Sequence, residues 1–381
     1  MKCQLLGKDL NVKKIFKKLN VTGHGISIME GKSQVLYVYI KNLRTPGANI
    51  LKQDALSIGA DVAVPKGTIC CENHSVDALV MGTPTQLKEL AKKAKLQDFG
   101  LKKVADFLNS ISIKKYEMPQ IMGIVNINED SFYKEGRSSK ESAFFKVLQM
   151  IEDGANIVDI GAVSSRPGSK KVLEEEELLR LQEVIDKIYK EKLYEKCSFS
   201  LDSYSPLALE YALDRGFKII NDITGLSDDR VAKLAARYGA KVCVMHMQGE
   251  PSNMQIDPKY EDVIDEVDRF FMGRIDKANS FGVKDLILDV GIGFGKNLEH
   301  NLLLIKHHMH FTRHKLPLLI GASRKSMINA IIKSEPNERL AGSLAIHLKA
   351  VENGASIVRC HDVKEHIQAF KVECALKESL V

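Results

Sequence analysis

The feature that most constrains the fold is one pattern that repeats from about Pro119 onward. A short apolar run is followed by a loop and then by a stretch with apolar residues at helical spacing. The runs are rich in Ile, Val and Leu and mostly do not alternate with polar residues, which is typical of parallel strands buried on both faces. They cover 121–127, 156–162, 198–204, 218–223, 241–246, 286–291, 317–324 and 356–362.

The segments between these runs read as amphipathic helices, for example EEEELLRLQEVIDKIYKE and RVAKLAARYG. Several of them end in glycine, as helices commonly do before the chain turns into the next strand. Eight strand–helix units in roughly 260 residues match the count and length of a (β/α)8 TIM barrel. A doubly wound open sheet is the competing α/β fold, but it usually needs fewer strands, so the pattern favours the barrel.

Residues 1–115 do not follow this pattern and predict a small α/β domain. QVLYVYIKN and VDALVMG read as strands, ANILKQDALSIGA as a helix, and the lysine-rich segment 83–110 as one or two helices. This part holds 19 Lys and Arg against 9 Asp and Glu, whereas the remainder holds 36 against 40. Because no aromatic residues are interleaved with the basic ones, a solvated surface is favoured over nucleic-acid binding. The predicted domains are therefore 1–115, of unknown role, and 116–381, the barrel.

Cysteine usage and hydropathy indicate a cytoplasmic protein. The seven cysteines are odd in number and show no C-x-x-C spacing, so reduced thiols are favoured over a zinc site or a disulfide framework. The start of the chain has no apolar run of signal-peptide length, and no 18-residue apolar segment occurs. We therefore expect no membrane association.

Polar residues cluster where the apolar runs end. The active site of a TIM barrel lies at the carboxyl ends of its strands, so these residues form the candidate site. Packing alone does not explain so many polar side chains at the tips of buried strands. In chain order they are Asn126; Ser164, Ser165 and Arg166; Asp202; Asn221 and Asp222; Met245 and His246; Asp289; Ser323, Arg324 and Lys325; and Arg359 with His361.

The stretch DVGIGFGKN at 289–297 looks like a phosphate-binding loop but fits neither nucleotide-binding pattern. A P-loop needs a glycine five residues before Gly295 and a Ser or Thr after Lys296, and the chain has Val290 and Asn297 at these positions. The dinucleotide pattern G-x-G-x-x-G fails because the third glycine comes one residue early. Both nucleotide-binding interpretations are therefore excluded.

Eight collinear motifs resemble those of the dihydropteroate synthase family. They are GIVNINEDSF, IVDIGAVSSRPGS, SLDSYSP, IINDITG, VMHMQGEPSNMQ, LDVGIGFGKNLEHN, IGASRKSMI and ERLAGSLA with GASIVRCHDV, between about 119 and 374. Members of this family are transferases of folate biosynthesis. They join 6-hydroxymethyl-7,8-dihydropterin pyrophosphate to 4-aminobenzoate and release pyrophosphate. The resemblance implies the same barrel and reaction here, and residues 1–115 lie outside it.

The resemblance implies a pterin site at one end of the mouth. A pterin edge offers hydrogen-bond donors beside an acceptor, which a buried carboxylate and an amide can match. By family position Asp289 and Asn221 have these roles, and Lys325 reaches the acceptor side of the ring. Met245, Phe294 and Asp202 complete the pterin contacts. The glycines of GIGFG would then keep side chains clear of the flat ligand, and the lysine after them would not bind phosphate.

The leaving pyrophosphate carries several negative charges, so cations must surround it. The resemblance implies Arg166, Arg359 and His361, and arginine suits bidentate contact with phosphate oxygens. Asn126 resembles the family residue that helps to hold a Mg²⁺ ion on the pyrophosphate, and Mg²⁺ commonly takes few protein ligands besides substrate phosphates. Two simpler roles stay open: Asp289 as a cap of its own loop, and Arg359 as half of an inter-strand salt bridge.

The family chemistry implies a dissociative mechanism. The bond to pyrophosphate breaks first, the positive charge spreads into the pterin, and the amine of 4-aminobenzoate attacks. Asp202 would stabilise that charge, so the predicted catalytic residues are Asp202, Lys325 and Arg166. The loops 128–140 and 164–172 would close over the reactants and exclude water. The predicted 4-aminobenzoate contacts are Ser165, Pro167, Phe294 and Ser323.

Three residues depart from the usual family pattern, namely Glu129, Val163 and Val290. They affect loop conformations but leave the pterin and pyrophosphate sets intact. The family also implies a homodimer. One alternative is a pterin-binding methyltransferase that uses methyltetrahydrofolate, which the pyrophosphate set argues against. The other is a non-catalytic folate-binding or regulatory protein.

Overall fold

The computed structural model describes residues 3–4, 6, 10–113, 116–127, 139–164, 168–169 and 172–379. The chain divides into two compact units, Met1–Ser112 with Ala375–Val381 and Ile113–Cys374. Within the described ranges, no helix has both the length and the apolar character needed to cross a membrane.

The smaller unit contains an antiparallel three-stranded sheet. Its strands are β1 (Leu36–Arg44), β2 (Asp61–Ala63) and β3 (Ser75–Gly82), in the order β1-β3-β2. The apolar side chains of one sheet face share a buried cluster with α3 (Thr45–Leu56), α4 (Pro84–Lys95) and α5 (Leu101–Ser110). Helices α1 (Val12–Lys18) and α2 (Gly23–Glu30) precede the sheet. The sequence predicted β1, β3, α3 and the two basic helices, and missed β2, α1 and α2.

The larger unit is a closed barrel of eight parallel strands, which confirms the predicted TIM barrel and excludes the open sheet. Each strand pairs with its neighbours in the chain, and the last strand closes the barrel on the first. The strands are β4 (Gln120–Asn126), β5 (Ile157–Gly161), β6 (Ser198–Asp202), β7 (Ile219–Asp222), β8 (Lys241–Met245), β9 (Leu286–Asp289), β10 (Leu318–Ile320) and β11 (Ile357–Cys360).

Helices follow the barrel strands as the repeated pattern predicted. They are α6 (Ser139–Glu152), α7 (Glu174–Lys190), α8 (Pro206–Leu213), α9 (Asp229–Tyr238), α10 (Val263–Ser280), α11 (Leu298–Lys306), α12 (Ser326–Ile331), α13 (Leu340–Glu352) and α14 (Val363–Glu378). Val158 and Ile160 of β5 belong to the same buried cluster as Leu181 and Val184 of α7. Burying a side chain of this size contributes roughly 1.5–3 kcal/mol, so this outer layer holds the helices on the barrel.

The inside of the barrel changes from apolar to polar along the strands. One buried cluster contains a residue from each of seven strands: Met122, Ile157, Ile219, Cys243, Ile287, Leu319 and Ile357. Successive strand side chains point to opposite faces, so the residues two positions later point inward one layer higher. At that level the chain has Asp159, Asn221, Met245, Asp289 and Arg359, together with Ile124 and Gly321. The fold therefore sets a polar layer on an apolar floor, toward the carboxyl ends of the strands.

Candidate functional site

Most predicted site residues lie at the carboxyl ends of barrel strands or in the loops that follow. Those within the described ranges are Asn126 on β4, Asp202 on β6, Asn221 on β7, Met245 on β8, Asp289 on β9, Phe294 after β9, Ser323 and Lys325 after β10, Arg359 on β11 and His361 after it. Ser165, Arg166 and Pro167 lie outside the described residues, as do 128–138 of the predicted lid.

Two carboxylates hold the Arg359 side chain. Its Nε donates to Asp159 Oδ2 at 2.6 Å, and its Nη2 donates to Asp202 Oδ2 at 2.6 Å. Burial opposes the charge of the guanidinium, but Asp159 and Asp202 outweigh burial and raise the pKa of Arg359 above its ordinary value. The inter-strand salt bridge considered for Arg359 is therefore present, and it joins β11 to β5 and β6.

Asp202 lies at the tip of β6, with 14% of its side chain exposed. Burial raises the pKa of its carboxyl group to about 7; Arg359 opposes this shift, and the nearby Asp159 adds to it. A carboxylate in this position carries charge that the protein only partly neutralises. It can therefore respond to a positive charge that develops on a ligand.

Asp159 is the site residue that the sequence analysis missed. It is fully buried, and its Oδ2 accepts from Asn221 Nδ2 at 3.0 Å as well as from Arg359. Asp159 lies in the middle of β5, whereas the residues predicted for the site follow the ends of the apolar runs. A usable signal was present: Asp159 follows the floor residue Ile157 by two positions, as Asp289 follows Ile287.

Asp289 is 7% exposed at the end of β9, and its Oδ1 accepts from Gly291 N at 2.8 Å. The loop-capping role considered for Asp289 is thus present. Its other oxygen makes no hydrogen bond to a described residue. Burial raises the pKa of this carboxyl group, against the Gly291 N–H and the positive charge of Lys325. One oxygen therefore fixes the loop, while the other is available to a ligand with N–H donors.

Lys325 lies beside Asp289 and Arg359, partly buried. Its Nζ donates to the backbone oxygen of Ile292 and lies 4.4 Å from the centre of the Phe294 ring. Burial lowers the pKa of Lys325 to about 8; Asp289 opposes this shift and Arg359 adds to it. Two predicted pterin residues, Lys325 and Asp289, therefore lie close enough to Arg359 for the three charges to interact.

Ser323 and His361 lie next to each other. The backbone N–H of His361 donates to Ser323 Oγ at 3.2 Å, and Ser323 Oγ lies 2.9 Å from His361 Nδ1. Ser323 was predicted to contact 4-aminobenzoate, and His361 was predicted to contact pyrophosphate. The loops after β10 and β11 thus bring the two predicted subsites together.

Lys296 is 3% exposed, and its ammonium group is surrounded by protein acceptors. Its Nζ donates to the backbone oxygens of Phe294, Gly291 and His246 at 2.9, 3.0 and 3.2 Å, and it lies 3.0 Å from His246 Nδ1. Burial lowers the pKa of Lys296 to about 7, and burial together with Lys296 lowers that of His246 to about 2. An ammonium has three donors and four acceptors meet it here, so none is left for phosphate.

Two of the GIGFG glycines are required by the packing of their own loop. A Cβ on Gly291 would lie 1.9 Å from the backbone oxygen of His246, and one on Gly295 would lie 2.3 Å from that of Gln248. Both glycines have positive φ, 68° and 60°. Glycine is needed at both positions because this loop packs against the backbone that follows β8.

The described residues contain no group of three or more His, Cys, Asp or Glu side chains that could hold a metal ion. Asn126, the predicted Mg²⁺ ligand, is the last residue of β4 and is partly buried. Its amide group makes no hydrogen bond to a described residue. One amide oxygen suits Mg²⁺ only where substrate phosphates and water supply the other ligands.

The chain resembles known proteins over both of its units. A family model described as pterin binding enzyme matches residues 122–361. The Helicobacter pylori bifunctional dihydropteroate synthase/dihydropteroate reductase is 40% identical over 341 residues, 89% of this chain and 90% of that protein. The Escherichia coli K12 dihydropteroate synthase is 43% identical over 257 residues, 67% of this chain and 90% of that protein.

A solved structure has the same barrel. The Xanthomonas albilineans dihydropteroate synthase with 4-aminobenzoic acid has a TM-score of 0.65 and 34% identity, and the match covers 70% of this chain and 95% of that chain. The match to the Helicobacter protein is longer than the barrel alone. The N-terminal unit, which lay outside the resemblance seen in the sequence, therefore also has a relative.

Proposed function

This chain belongs to the family of pterin-binding enzymes, and on that premise we propose how its barrel carries out the family reaction. It is a transferase of folate biosynthesis that acts as a dihydropteroate synthase: it condenses 6-hydroxymethyl-7,8-dihydropterin pyrophosphate with 4-aminobenzoate and releases pyrophosphate. One observation carries the assignment of residues: Asp289 and Asn221 of the polar layer, Lys325 from the loop after β10, and Arg359 of the polar layer meet above an apolar floor. A flat polar ring needs hydrogen-bonding groups such as those of Asp289, Asn221 and Lys325. A polyanion needs a cation such as Arg359.

At the pterin end, Asp289 would accept hydrogen bonds from the donor edge of the ring. Gly291 N already occupies one of its oxygens and so fixes the carboxylate plane. Asn221 would meet the same edge with its amide, and Lys325 would donate to the acceptors on the other side. Met245, which is 4% exposed and two positions after the floor residue Cys243, would contact the face of the ring.

At the pyrophosphate end, Arg359 and His361 would bind the phosphate oxygens together with Arg166, which lies outside the described residues. Arg359 makes its Nη2 contact with Asp202, so an arriving pyrophosphate would compete with Asp202 for that group. Once Arg359 turns toward the anion, Asp202 regains an uncompensated negative charge beside the pterin. Binding of the leaving group would thus prepare the carboxylate that the reaction needs.

The chemical step would be dissociative. As the bond between the pterin methylene carbon and the pyrophosphate oxygen breaks, Arg359 and His361 stabilise the departing anion and Asp202 stabilises the cation on the ring. The amine of 4-aminobenzoate then bonds to the methylene carbon and loses a proton. No side chain has to act as a nucleophile, and the nearby Cys243 is fully buried with a pKa raised well above its ordinary value by burial.

The 4-aminobenzoate would bind between Phe294 and Ser323, with Ser165 and Pro167 contributing from outside the described residues. Lys325 lies over the Phe294 ring, so this ring separates the proposed pterin and aminobenzoate positions. The position of Phe294 in the loop after β9 supports contact with both substrates.

A Mg²⁺ ion on the pyrophosphate would be held by Asn126, whose amide oxygen is at the carboxyl end of β4. When bound, Mg²⁺ would neutralise part of the phosphate charge and so favour departure of the leaving group. Removal of Mg²⁺ with a chelator should therefore weaken pyrophosphate binding more than pterin binding.

The test is an assay of pyrophosphate release from the pterin ester by the full-length chain, with and without 4-aminobenzoate. We expect release that depends on 4-aminobenzoate and formation of dihydropteroate in equal amount. A chain that binds pteroate without turnover would be the folate-binding protein considered above. Transfer of a methyl group from methyltetrahydrofolate would instead identify the methyltransferase.

A second activity, the reduction of dihydropteroate, is favoured by one observation. The match to the Helicobacter pylori synthase/reductase covers 89% of this chain, whereas the match to the single-function Escherichia coli enzyme covers 67%. The extra length lies in the N-terminal part, which we propose is required for this reduction. The reaction would add a hydride and a proton to dihydropteroate and would need an external hydride donor.

Assays of dihydropteroate consumption with NADH or NADPH, with and without added flavin, test the second activity. We expect consumption with the full chain and none with a variant that lacks residues 1–112, provided that this variant still releases pyrophosphate. Equal reduction by both proteins would remove the N-terminal unit from the reaction.

Assembly and location follow the family expectation. We propose a homodimer in the cytoplasm that binds small molecules and no nucleic acid. Cys197, Cys243 and Cys360 are free and buried, which suits a reducing compartment. Ile331 and Ile332 at the end of α12 are 60% and 67% exposed, as side chains covered by a partner subunit would be. Sedimentation of the full chain tests the dimer.

A further inference from the structure

Asp159 has no role in the chemistry described above, although it contacts two residues that do. It is fully buried and lies on the inner face of β5, directly above the apolar floor. Its Oδ2 accepts from Arg359 Nε at 2.6 Å and from Asn221 Nδ2 at 3.0 Å. Its Oδ1 makes no hydrogen bond within the described part of the chain, so these two contacts account for its role there.

The first contact fixes the orientation of the Asn221 amide. Asp159 Oδ2 accepts from Arg359 and from the nitrogen of Asn221, so it holds that end of the amide. The amide oxygen then points away from β5 and is available to a donor on the ligand. Nothing in Asn221 itself distinguishes the two ends of its amide, which are nearly equal in shape. The buried carboxylate of Asp159 therefore determines which end of the Asn221 amide faces the ligand.

The second contact fixes one end of the Arg359 guanidinium. Asp159 holds Nε, the atom nearest the backbone, and Asp202 holds Nη2 at the far end. Nη1 makes no hydrogen bond to a described residue. If Nη2 leaves Asp202 for an anion, the bond from Nε to Asp159 can persist as a pivot. The guanidinium then turns without withdrawing from the site.

We propose that Asp159 is a positioning residue that prepares both ends of the site at once: it orients the Asn221 amide toward the pterin and anchors Arg359 for the pyrophosphate. The inference rests on the proposed roles of Asn221 and Arg359. It adds that neither residue is correctly placed by its own strand alone. The positioning residue contacts no substrate atom.

The test compares Asp159→Asn with Ser200→Ala in the full-length chain. Ser200 pairs with Asp159 across β5 and β6, is equally buried, and its hydroxyl has no partner among the described residues. An Asn at 159 keeps the shape but can accept from Asn221 or donate to it, so the Asn221 amide is no longer fixed. We expect the KM for the pterin ester to rise about tenfold or more, as loss of a charge-assisted hydrogen bond implies.

The KM for 4-aminobenzoate should stay at the wild-type value in Asp159→Asn, and both KM values should stay there in Ser200→Ala. A general loosening of the barrel would raise both KM values in both variants and would overturn the proposal. So would an unchanged pterin KM in Asp159→Asn.

Two further measurements separate this inference from the proposed function. If Asn221→Ala also leaves the pterin KM unchanged, the assignment of the site itself fails; if it raises the KM while Asp159→Asn does not, only the role of Asp159 fails. Should Asp159→Asn not fold, a structure of the wild-type chain with pteroate decides. We expect the bonds from Asp159 to Asn221 and to Arg359 Nε to persist there, and their absence would overturn the proposal.

Discussion

The loops after β9 and β10 each carry a lysine with a lowered pKa, and they use it in opposite ways. Lys296, after β9, is 3% exposed, and three backbone oxygens and His246 surround its Nζ. Lys325, after β10, is partly exposed; its Nζ bonds one backbone oxygen and faces the Phe294 ring. A buried cation with all its donors satisfied organises the protein, whereas one with donors to spare can serve a ligand.

The largest expected effect is that of Lys325→Met. This change removes a donor and a positive charge from the proposed pterin site while keeping an unbranched side chain of similar length. We expect kcat/KM for the pterin ester to fall roughly 100- to 1,000-fold, as when one preorganised donor is lost. Steady-state kinetics measure the loss, and thermal unfolding should show a midpoint close to wild type. A variant that keeps its activity would place Lys325 outside the site.

Lys296→Met should instead act on stability. The change leaves three backbone oxygens and His246 Nδ1 without their shared donor, and unsatisfied buried groups are costly even after the desolvation of the ammonium is recovered. We expect the free energy of unfolding to fall by about 2–4 kcal/mol, measured by urea denaturation. The exposed Lys284 supplies a matched control, because Lys284→Met should change stability very little. A large loss of kcat in folded Lys296→Met, without a loss of stability, would contradict the comparison.

The pH dependence of the reaction should distinguish the two lysines. In its proposed role Lys325, with a pKa of about 8, donates to the pterin as an ammonium group, so activity should fall above that pH. In its proposed role Asp202, with a pKa raised to about 7, stabilises the cation as a carboxylate, so activity should also fall below about pH 7. The profile of kcat/KM for the pterin ester is therefore expected to be bell-shaped.

Variants assign the two limbs of that profile. Lys325→Arg keeps its charge at all these pH values and should lose the basic limb, even if its rate is lower. Lys296→Met should retain the basic limb, since protein acceptors already occupy the donors of Lys296, whose pKa is about 7. Asp202→Asn should lose the acidic limb. A basic limb that disappears in Lys296→Met would reverse the roles given to the two residues.

The smallest expected effect is that of Phe294→Leu. The ring lies 4.4 Å from Lys325 Nζ, and an attraction of this kind is worth roughly 0.5–1 kcal/mol where water reaches it. We expect a roughly two- to fivefold rise in the KM for 4-aminobenzoate, with kcat little changed. Isothermal titration with each substrate measures the two affinities separately, and a loss confined to the pterin would move Phe294 wholly to that subsite.

The sequence was sufficient to predict the barrel because its signal repeats eight times. It also located Asp202, Asn221, Asp289 and Arg359 at the carboxyl ends of strands and Lys325 in a loop that follows one, since the fold sends all these ends to one side. Their roles as substrate contacts remain predictions. Arg166 and its neighbours Ser165 and Pro167 lie outside the described residues.

What the sequence did not reveal depends on contacts between distant strands. The partners of Arg359 come from β5 and β6, 200 and 157 residues away along the chain. The reason for Gly291 and Gly295 lies in the backbone after β8, and the acceptors of Lys296 include that same backbone. Periodicity predicts which face a residue occupies, but register between strands decides what it meets there.

The salt bridges of Arg359 also bear on how the barrel assembles. Arg359 is on the eighth barrel strand, whereas Asp159 and Asp202 are on the second and third. Until β11 docks between β10 and β4, Asp159 and Asp202 lack the guanidinium that bonds to both of them. Docking of the eighth strand thus makes both salt bridges at once, so closing the barrel and joining its polar layer across three strands are one event.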